Sequence, residues 1–277
     1  MIDLKLSWPA NWKRECLSMT MVKVPPDPTQ MFRLDGRIAL VTGASSGLGE
    51  RFARVLKAAG ASLVLTARRQ DRLAALSEEL GDTLWVAGDV TDDSHVFALV
   101  EKAAERHGRI DILVNSAGMA DVAPLEEESL EKIRRMIAVN LTAVIVLNQA
   151  VGKLMLARKS GNIVNLASMF GLVAPGDRPM TGYAATKSAI VNHTRDLAAQ
   201  WATRGVRVNA IAPGFFPTEM TGMLRNPDLV TRIERRTLMQ RAGNIHELDG
   251  ALLFLTSDAS SYVTGHTLVV DGGWTAW

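Results

Sequence analysis

Cysteine is almost missing from this sequence: Cys16 is the only one among 277 residues. A single thiol excludes an intrachain disulfide and any cysteine-based zinc site, and it points to a reduced, cytoplasmic setting. Histidine is sparse and scattered. His95, His107, His193, His246 and His266 include no pair at metal-ligand spacing, so no metal site is expected. Net charge is nearly absent as well: Lys+Arg 31 against Asp+Glu 29 leaves +2 with no long basic run, which argues against nucleic acid as a partner. No apolar run reaches the roughly 18–20 residues of a membrane span, and no membrane association is expected. Only two tyrosines are present, Tyr183 and Tyr262.

What the chain does have is apolar content, 47% hydrophobic against 22% charged, enough to bury a full core. Residues 1–30 do not resemble the rest. They hold Trp8, Trp12 and the run Pro25-Pro26-Asp27-Pro28, without an apolar block suited to a signal peptide, and Met19, Met21 and Met31 offer internal starts. They read as a mobile N-terminal extension ahead of one domain spanning 31–277.

From Arg33 onward two periodicities alternate. Short apolar runs starting at Ile38, Ser62, Leu84, Ile112, Ile163, Val206 and Leu268 read as strands. Between them, helical spacing covers roughly 52–59, 71–80, 94–107, 129–157 and 183–202. Strands separated by helices imply right-handed crossovers and a parallel sheet covered on both faces. The expected fold is therefore α/β: a single-domain, doubly wound (Rossmann) parallel seven-stranded sheet.

The first strand runs into Thr42-Gly43-Ala44-Ser45-Ser46-Gly47-Leu48-Gly49 and then a helix. Strand, glycine turn and helix together offer backbone N–H groups and a helix N-terminus to a phosphate. Gly43 makes the tight turn, Gly47 lets a pyrophosphate approach the backbone, and Gly49 lets helix and strand pack closely. In such sheets ligands gather at the carboxyl ends of strands, where Asn115, Ser168 and Pro213-Gly214 fall. Just beyond lies Tyr183-Ala184-Ala185-Thr186-Lys187. Positions i and i+4 share a helix face, so the ammonium and the phenol lie side by side, and the cation is expected to lower the phenol pKa for acid/base work near neutrality. Taken alone, the pair also reads as a surface Tyr/Lys pair.

Thr42–Gly49, Asp89, Asn115-Ser116-Ala117-Gly118, Ser168 with Tyr183 and Lys187, and Pro213-Gly214 with Thr218 occur in one order that resembles the short-chain dehydrogenase/reductase family, from about Leu34 to Gly273. The resemblance implies that Tyr183 moves the proton, Ser168 holds the substrate oxygen and Lys187 holds the nicotinamide ribose. Asn140, in a Val139-Asn140-Leu141 helix break, would anchor a relay water. It further implies cofactor contacts from Gly43, Ser45, Ser46, Gly47, Leu48 and Gly49. Others would come from Asp89, Val90, Asn115, Ala117, Gly118, Pro213, Gly214, Phe216, Thr218 and Met220. Two departures stand out: Ser116 replaces the family's second asparagine, and the 15-position step from Ser168 to Tyr183 is longer than usual, the excess falling near Pro175-Gly176-Asp177-Arg178-Pro179. Met169, Phe170, Phe215, Phe216, Met220, Met223 and Leu224 suggest an apolar pocket wall, or simply lid packing.

NAD-using dinucleotide folds place a carboxylate after the second strand. Here Ala67 stands in that position, followed by Arg68 and Arg69, and no acidic residue appears between Gly60 and Asp71. A guanidinium clamps a 2′-phosphate that a carboxylate would repel, so NADP(H) is the expected cofactor, with Arg68 its main contact and Arg69 either an assistant or a solvated first-turn residue. The functional expectation is an NADP-dependent oxidoreductase interconverting a small-molecule ketone and a secondary alcohol. A sugar or polyol dehydrogenase is favoured by a polar mouth, and a 3-oxoacyl-thioester reductase by a basic one. A dinucleotide sensor without turnover would have no need of the Asn/Ser/Tyr/Lys set. The resemblance, together with the apolar run around Leu268-Val269-Val270 and Trp274 to Trp277, costly to leave in water, implies a homo-tetramer; the alternative is that these tryptophans fold back over their own subunit.

Overall fold

The computed structural model describes residues 27–176, 178–220 and 227–277. Trp8, Trp12, Cys16, Asp177, Met223 and Leu224 lie outside the described residues. The chain divides into a short unit, Met1–Met31, and a large one, Phe32–Trp277.

The large unit is built on seven parallel strands: β1 (Ile38–Thr42), β2 (Ser62–Ala67), β3 (Thr83–Ala87), β4 (Ile112–Asn115), β5 (Gly161–Leu166), β6 (Val206–Pro213) and β7 (Thr267–Val270). Their order is β3-β2-β1-β4-β5-β6-β7, so the winding direction reverses between β1 and β4. Both faces of the sheet are covered, which is why the central strands are apolar throughout; all five residues of β1 are buried. Alternation within that strand sorts the core. Ala39 and Val41 join Phe52, Leu56, Leu252 and Leu255 on one face, while Ile38 and Leu40 join Leu99, Leu147, Val151 and Trp201 on the other.

The first face is packed by α1 (Gly47–Ala58) and α2 (Gln70–Leu80); on the other lies α3 (Asp93–His107). α3 starts on the Asp92 carboxylate, which accepts the Ser94 N–H at 2.9 Å, and stops at Gly108 in the left-handed region, φ 71°. The long tract is one helix in three parts: α4 (Leu130–Ile137), a π-helical turn (Ala138–Thr142) and α5 (Ala143–Arg158). Contrary to the reading of the sequence, Leu130–Arg158 is long and apolar enough by composition to cross a membrane. Its residues Leu147, Val151 and Met155 are nevertheless buried in the core against the sheet.

α6 (Thr181–Trp201) follows β5. Between β6 and β7 stand two helices that the sequence reading did not identify, α7 (Pro227–Arg236) and α8 (Asp249–Thr256). α7 is short and two-faced, with Leu229 and Ile233 at i,i+4 turned to the core and charges elsewhere, a period that the sequence reading overlooked, whereas α8 is almost uniformly apolar and writes no two-faced period.

At the amino-terminal edge of the sheet, Asp111 is buried. Its carboxylate accepts the Ile38 N–H at 2.9 Å and pairs with Arg109 and Arg158, each at 3.0 Å. That network ties β1 to β4 and α5 at the end remote from the cleft.

Candidate active site

A cleft of about 590 Å³ opens at the carboxyl end of the sheet, where the winding reverses. Its floor is the glycine turn. Gly43 and Gly47 have φ of 69° and 56°, which other residues rarely adopt. A Cβ on Gly49 would lie 2.4 Å from the Gly43 carbonyl oxygen, so the helix touches the turn through bare backbone. Ser46 makes no side-chain cap on α1, leaving first-turn N–H groups at the cleft. Thr42 Oγ1 accepts the N–H groups of Ser116 and Ala117, both at 3.0 Å, locking the β4 loop against the β1 turn.

Of the residues expected to hold a dinucleotide, Ser45, Ser46, Leu48, Arg68, Arg69, Asp89, Val90, Ala117, Gly118, Pro213, Gly214, Phe216, Thr218 and Met220 line this cleft with the three glycines. Asn115 does not. Its amide is buried and donates to Asn148 Oδ1 (2.7 Å) and Asn165 Oδ1 (2.9 Å) beneath the cleft. Asp89 is tied down by the Thr91 N–H and hydroxyl (2.9 and 2.8 Å) and by Arg135 at 2.5 Å. Burial works against its carboxylate, but those partners outweigh it and hold the pKa at about 2.

The two arginines after β2 have different surroundings. Arg69 donates to Ser45 Oγ (3.2 Å) and the Ser45 carbonyl (3.3 Å), and pairs with Glu219 at 2.8 Å. Arg68 is exposed and makes no hydrogen bond or ion pair with the described residues.

At the other end of the cleft Tyr183, Ser168 and Lys187 line the wall together. Lys187, one turn along α6, donates to the Leu166 carbonyl at 2.7 Å, its Nζ 5.8 Å from the Tyr183 ring centre. The expected lowering of the phenol pKa is not what the protein alone produces. Burial raises Tyr183 above its ordinary value, with the neighbouring Ser168 hydroxyl pulling the other way, and the same burial brings Lys187 down to about 8. Desolvation of the site exceeds the pull of a cation whose ammonium is directed to a backbone carbonyl.

Asn140 sits on the π turn and is fully buried rather than lining the cleft. Its Oδ1 accepts the Met119 N–H at 2.9 Å, while Nδ2 donates to the Met119 carbonyl (2.8 Å) and to Thr186 Oγ1 (3.1 Å). Thr186 in turn donates to the Tyr183 carbonyl at 2.8 Å, so one amide joins the β4 loop to the first turns of α6.

The wall beyond Tyr183 is aromatic. Phe170, Phe215 and Trp274 meet edge to face, with ring centres 5.2–6.1 Å apart. Trp274 is 2% exposed, so the alternative holds for this tryptophan: it folds back over its own chain, whereas Trp277 is 74% exposed. Outside this wedge Arg236 stacks on Trp274 at 4.9 Å, Arg178 lies 6.0 Å from the Phe215 ring centre, and Arg232 donates to the Pro175 carbonyl at 3.2 Å. The extended loop is thus flanked by guanidinium groups. Sequence reasoning missed Arg135, Glu219, Trp274 and α7 at this site; only the arginine excess of Arg232, Arg235 and Arg236 offered a signal.

A family model described as enoyl-(acyl carrier protein) reductase matches residues 43–275. Galactitol 2-dehydrogenase (L-tagatose-forming) of Cereibacter sphaeroides is 43% identical over 254 residues, covering 91% of this chain and 100% of that protein. A 3-oxoacyl-[acyl-carrier-protein] reductase of Vibrio harveyi is 37% identical over 241 residues, 87% of this chain and 98% of that one. Among solved structures, a gluconate 5-dehydrogenase from Burkholderia cenocepacia J2315 in complex with NADP and tartrate superposes with a TM-score of 0.86 at 38% identity, covering 91% of this chain and 100% of that chain.

Proposed function

The chain belongs to the short-chain dehydrogenase/reductase family and is an oxidoreductase working with NADP(H) between a secondary alcohol and a ketone, and we propose that Tyr183, Ser168, Lys187 and Asn140 carry that reaction. The observation that carries the assignment is that Tyr183, Ser168 and Lys187 together line the same cleft as the glycine turn. The cleft fits a dinucleotide: bare glycine backbone and an uncapped helix start meet a pyrophosphate, and exposed Arg68 meets a 2′-phosphate.

NADP(H), when bound, supplies or accepts the hydride. Ser168 holds the substrate oxygen, and Tyr183 Oη gives that oxygen its proton in reduction and takes it in oxidation. The Lys187 ammonium, 5.8 Å from the Tyr183 ring centre, favours the phenolate left behind. Asn140 keeps the β4 loop and the start of α6 in fixed register, and the aromatic wedge limits water at the reacting oxygen. A sensor without turnover has no use for this set.

Replacing Tyr183 with Phe tests the assignment. Cofactor binding, followed by nicotinamide fluorescence, should persist, and turnover should fall by the ~10²–10⁴-fold typical of a lost acid/base. Turnover within a few-fold of the parent would remove Tyr183 from its role.

A second reading narrows the substrate. Arg178 over Phe215, Arg236 over Trp274 and Arg232 on the Pro175 carbonyl set guanidinium groups around the apolar aromatic wedge, outside the lining of the cleft itself. That combination favours a 3-oxoacyl thioester, with its apolar chain and anionic carrier, over a neutral sugar or polyol. Comparing kcat/KM across ketones, polyols and acyl thioesters checks it. We assign catalysis to residues 31–277, place the enzyme in the cytoplasm on the strength of its single cysteine, and expect a homo-tetramer.

A further inference from the structure

Three arginines converge on the adenosine-side corner of the cleft: Arg68 and Arg69 on its lining, and Arg72 one turn into α2. The carboxylate of Glu219 faces them and pairs directly with two of the three. It comes from the segment after β6, beside Thr218, whose Cβ would be 3.3 Å from a Cβ placed on Gly47. That segment therefore rests on the glycine turn and brings Glu219 across the cleft. The carboxylate pairs with Arg69 Nη1 at 2.8 Å and with Arg72 through its other oxygen. Arg69 also donates through Nε and Nη2 to Ser45, which fixes its guanidinium in place. Arg68 is left with no protein anion among the described residues.

We propose that Glu219 is a built-in competitor for the 2′-phosphate, occupying Arg69 and Arg72 so that Arg68 alone meets that group, and that Glu219 thereby sets the margin between NADP(H) and NAD(H). The inference rests on the reading of this corner as the 2′-phosphate site. Like charges facing one arginine oppose each other, and a phosphate monoester carries about −1.5 to −2 near neutrality, so it displaces the carboxylate only at a cost. The bridges are half-exposed, with Glu219 at 52% side-chain exposure, so the cost is modest and screened by salt. The carboxylate tempers the cofactor preference instead of abolishing it.

Binding of adenosine 2′,5′-bisphosphate and of 5′-AMP, measured by calorimetry on the intact protein, separates the possibilities without any turnover. Glu219→Gln should bind the bisphosphate about 3- to 10-fold more tightly than the parent while 5′-AMP changes less than 2-fold, and the gain should shrink as salt is raised. Glu219→Asp, which keeps the charge, should stay near the parent. If Glu219→Gln weakens both ligands together, Glu219 is a strap over the cofactor and the proposal fails. If neither ligand responds, the bridge is a surface contact and the proposal also fails. Failure of the underlying site reading looks different: the parent would then not prefer the bisphosphate over 5′-AMP, and Arg68→Ala would leave both affinities unchanged.

Discussion

Lys187 shows how the site trades stability for chemistry. Its ammonium is 5% exposed with one carbonyl partner, and burial brings its pKa from 10.5 down to about 8. A lysine whose folded pKa lies below its unfolded one destabilises the fold fully below the folded value. The penalty then fades as pH rises from about 8 toward 10.5, because the unfolded chain keeps its proton longer. Near pH 7 the charge costs about 3 kcal/mol, less what its hydrogen bond returns. Lys187→Met should therefore be inactive and yet more stable by about 1–3 kcal/mol at pH 7 in urea unfolding, the gap closing by pH 10. A variant less stable than the parent at every pH would show that the ammonium holds the fold together. The Tyr183–Lys187 pair was legible in sequence because helical spacing alone places it. Arg135 on Asp89, Glu219 on Arg69 and the Asn115–Asn148–Asn165 cluster were not, since each joins positions dozens of residues apart through the sheet order.

Elements were legible wherever one period or one cap sufficed. Strands β1 to β7 were all anticipated, and Asn140 was placed in a helix break that the structure shows as a π turn. Of the short helices after β6, α8 escaped because it is apolar nearly all round and carries no period, while α7 writes its Leu229/Ile233 period over too few turns to stand out. Contacts between elements were equally hidden, and Gly171 is the sharpest case. It closes the short helical turn after Ser168, and a Cβ there would lie 2.7 Å from the backbone carbon and oxygen of Lys187 and 3.0 Å from Ser188 N. Backbone faces backbone, so neither side yields by a rotamer change. Gly171→Ala should wedge the Ser168 turn away from α6 and misplace Ser168 relative to Tyr183. A shift approaching 1 Å there costs on the order of 10²-fold in kcat. Cofactor affinity, set at the far end of the cleft, should change little. An unaltered kcat would mean that the Ser168 turn and α6 are not held in a fixed relation.

On the scale of the whole molecule, the question is what covers the apolar surface that one chain leaves outside. The C-terminal argument survives only in part: Trp274 is satisfied within its own chain, while β7 is an edge strand and Trp277 remains exposed. A better candidate runs along the long helix. Leu130, Ile137 and Ile145 are 64%, 42% and 42% exposed, and what marks them is their shared helix face and not their exposure one by one. Seven residues separate the first two and eight the next, and the π turn between them absorbs the extra residue, since its wider coil turns less per residue. The three side chains consequently form one row instead of spiralling away. Paired helices from a second chain would bury such a row, and a closed symmetric assembly uses the same patch on each copy. The proposed homo-tetramer should give a light-scattering mass near four times the 30.0 kDa chain at micromolar concentration. Ile145→Arg places a charge at the carboxyl-terminal end of the row and should lower that mass while leaving cofactor binding intact, because the cleft lies at the strand ends and not on this helix face. A parent of monomer mass would refute the assembly. A tetramer indifferent to Ile145→Arg would keep the assembly and move its interface elsewhere, with the β7 edge and Trp277 the next surface to charge.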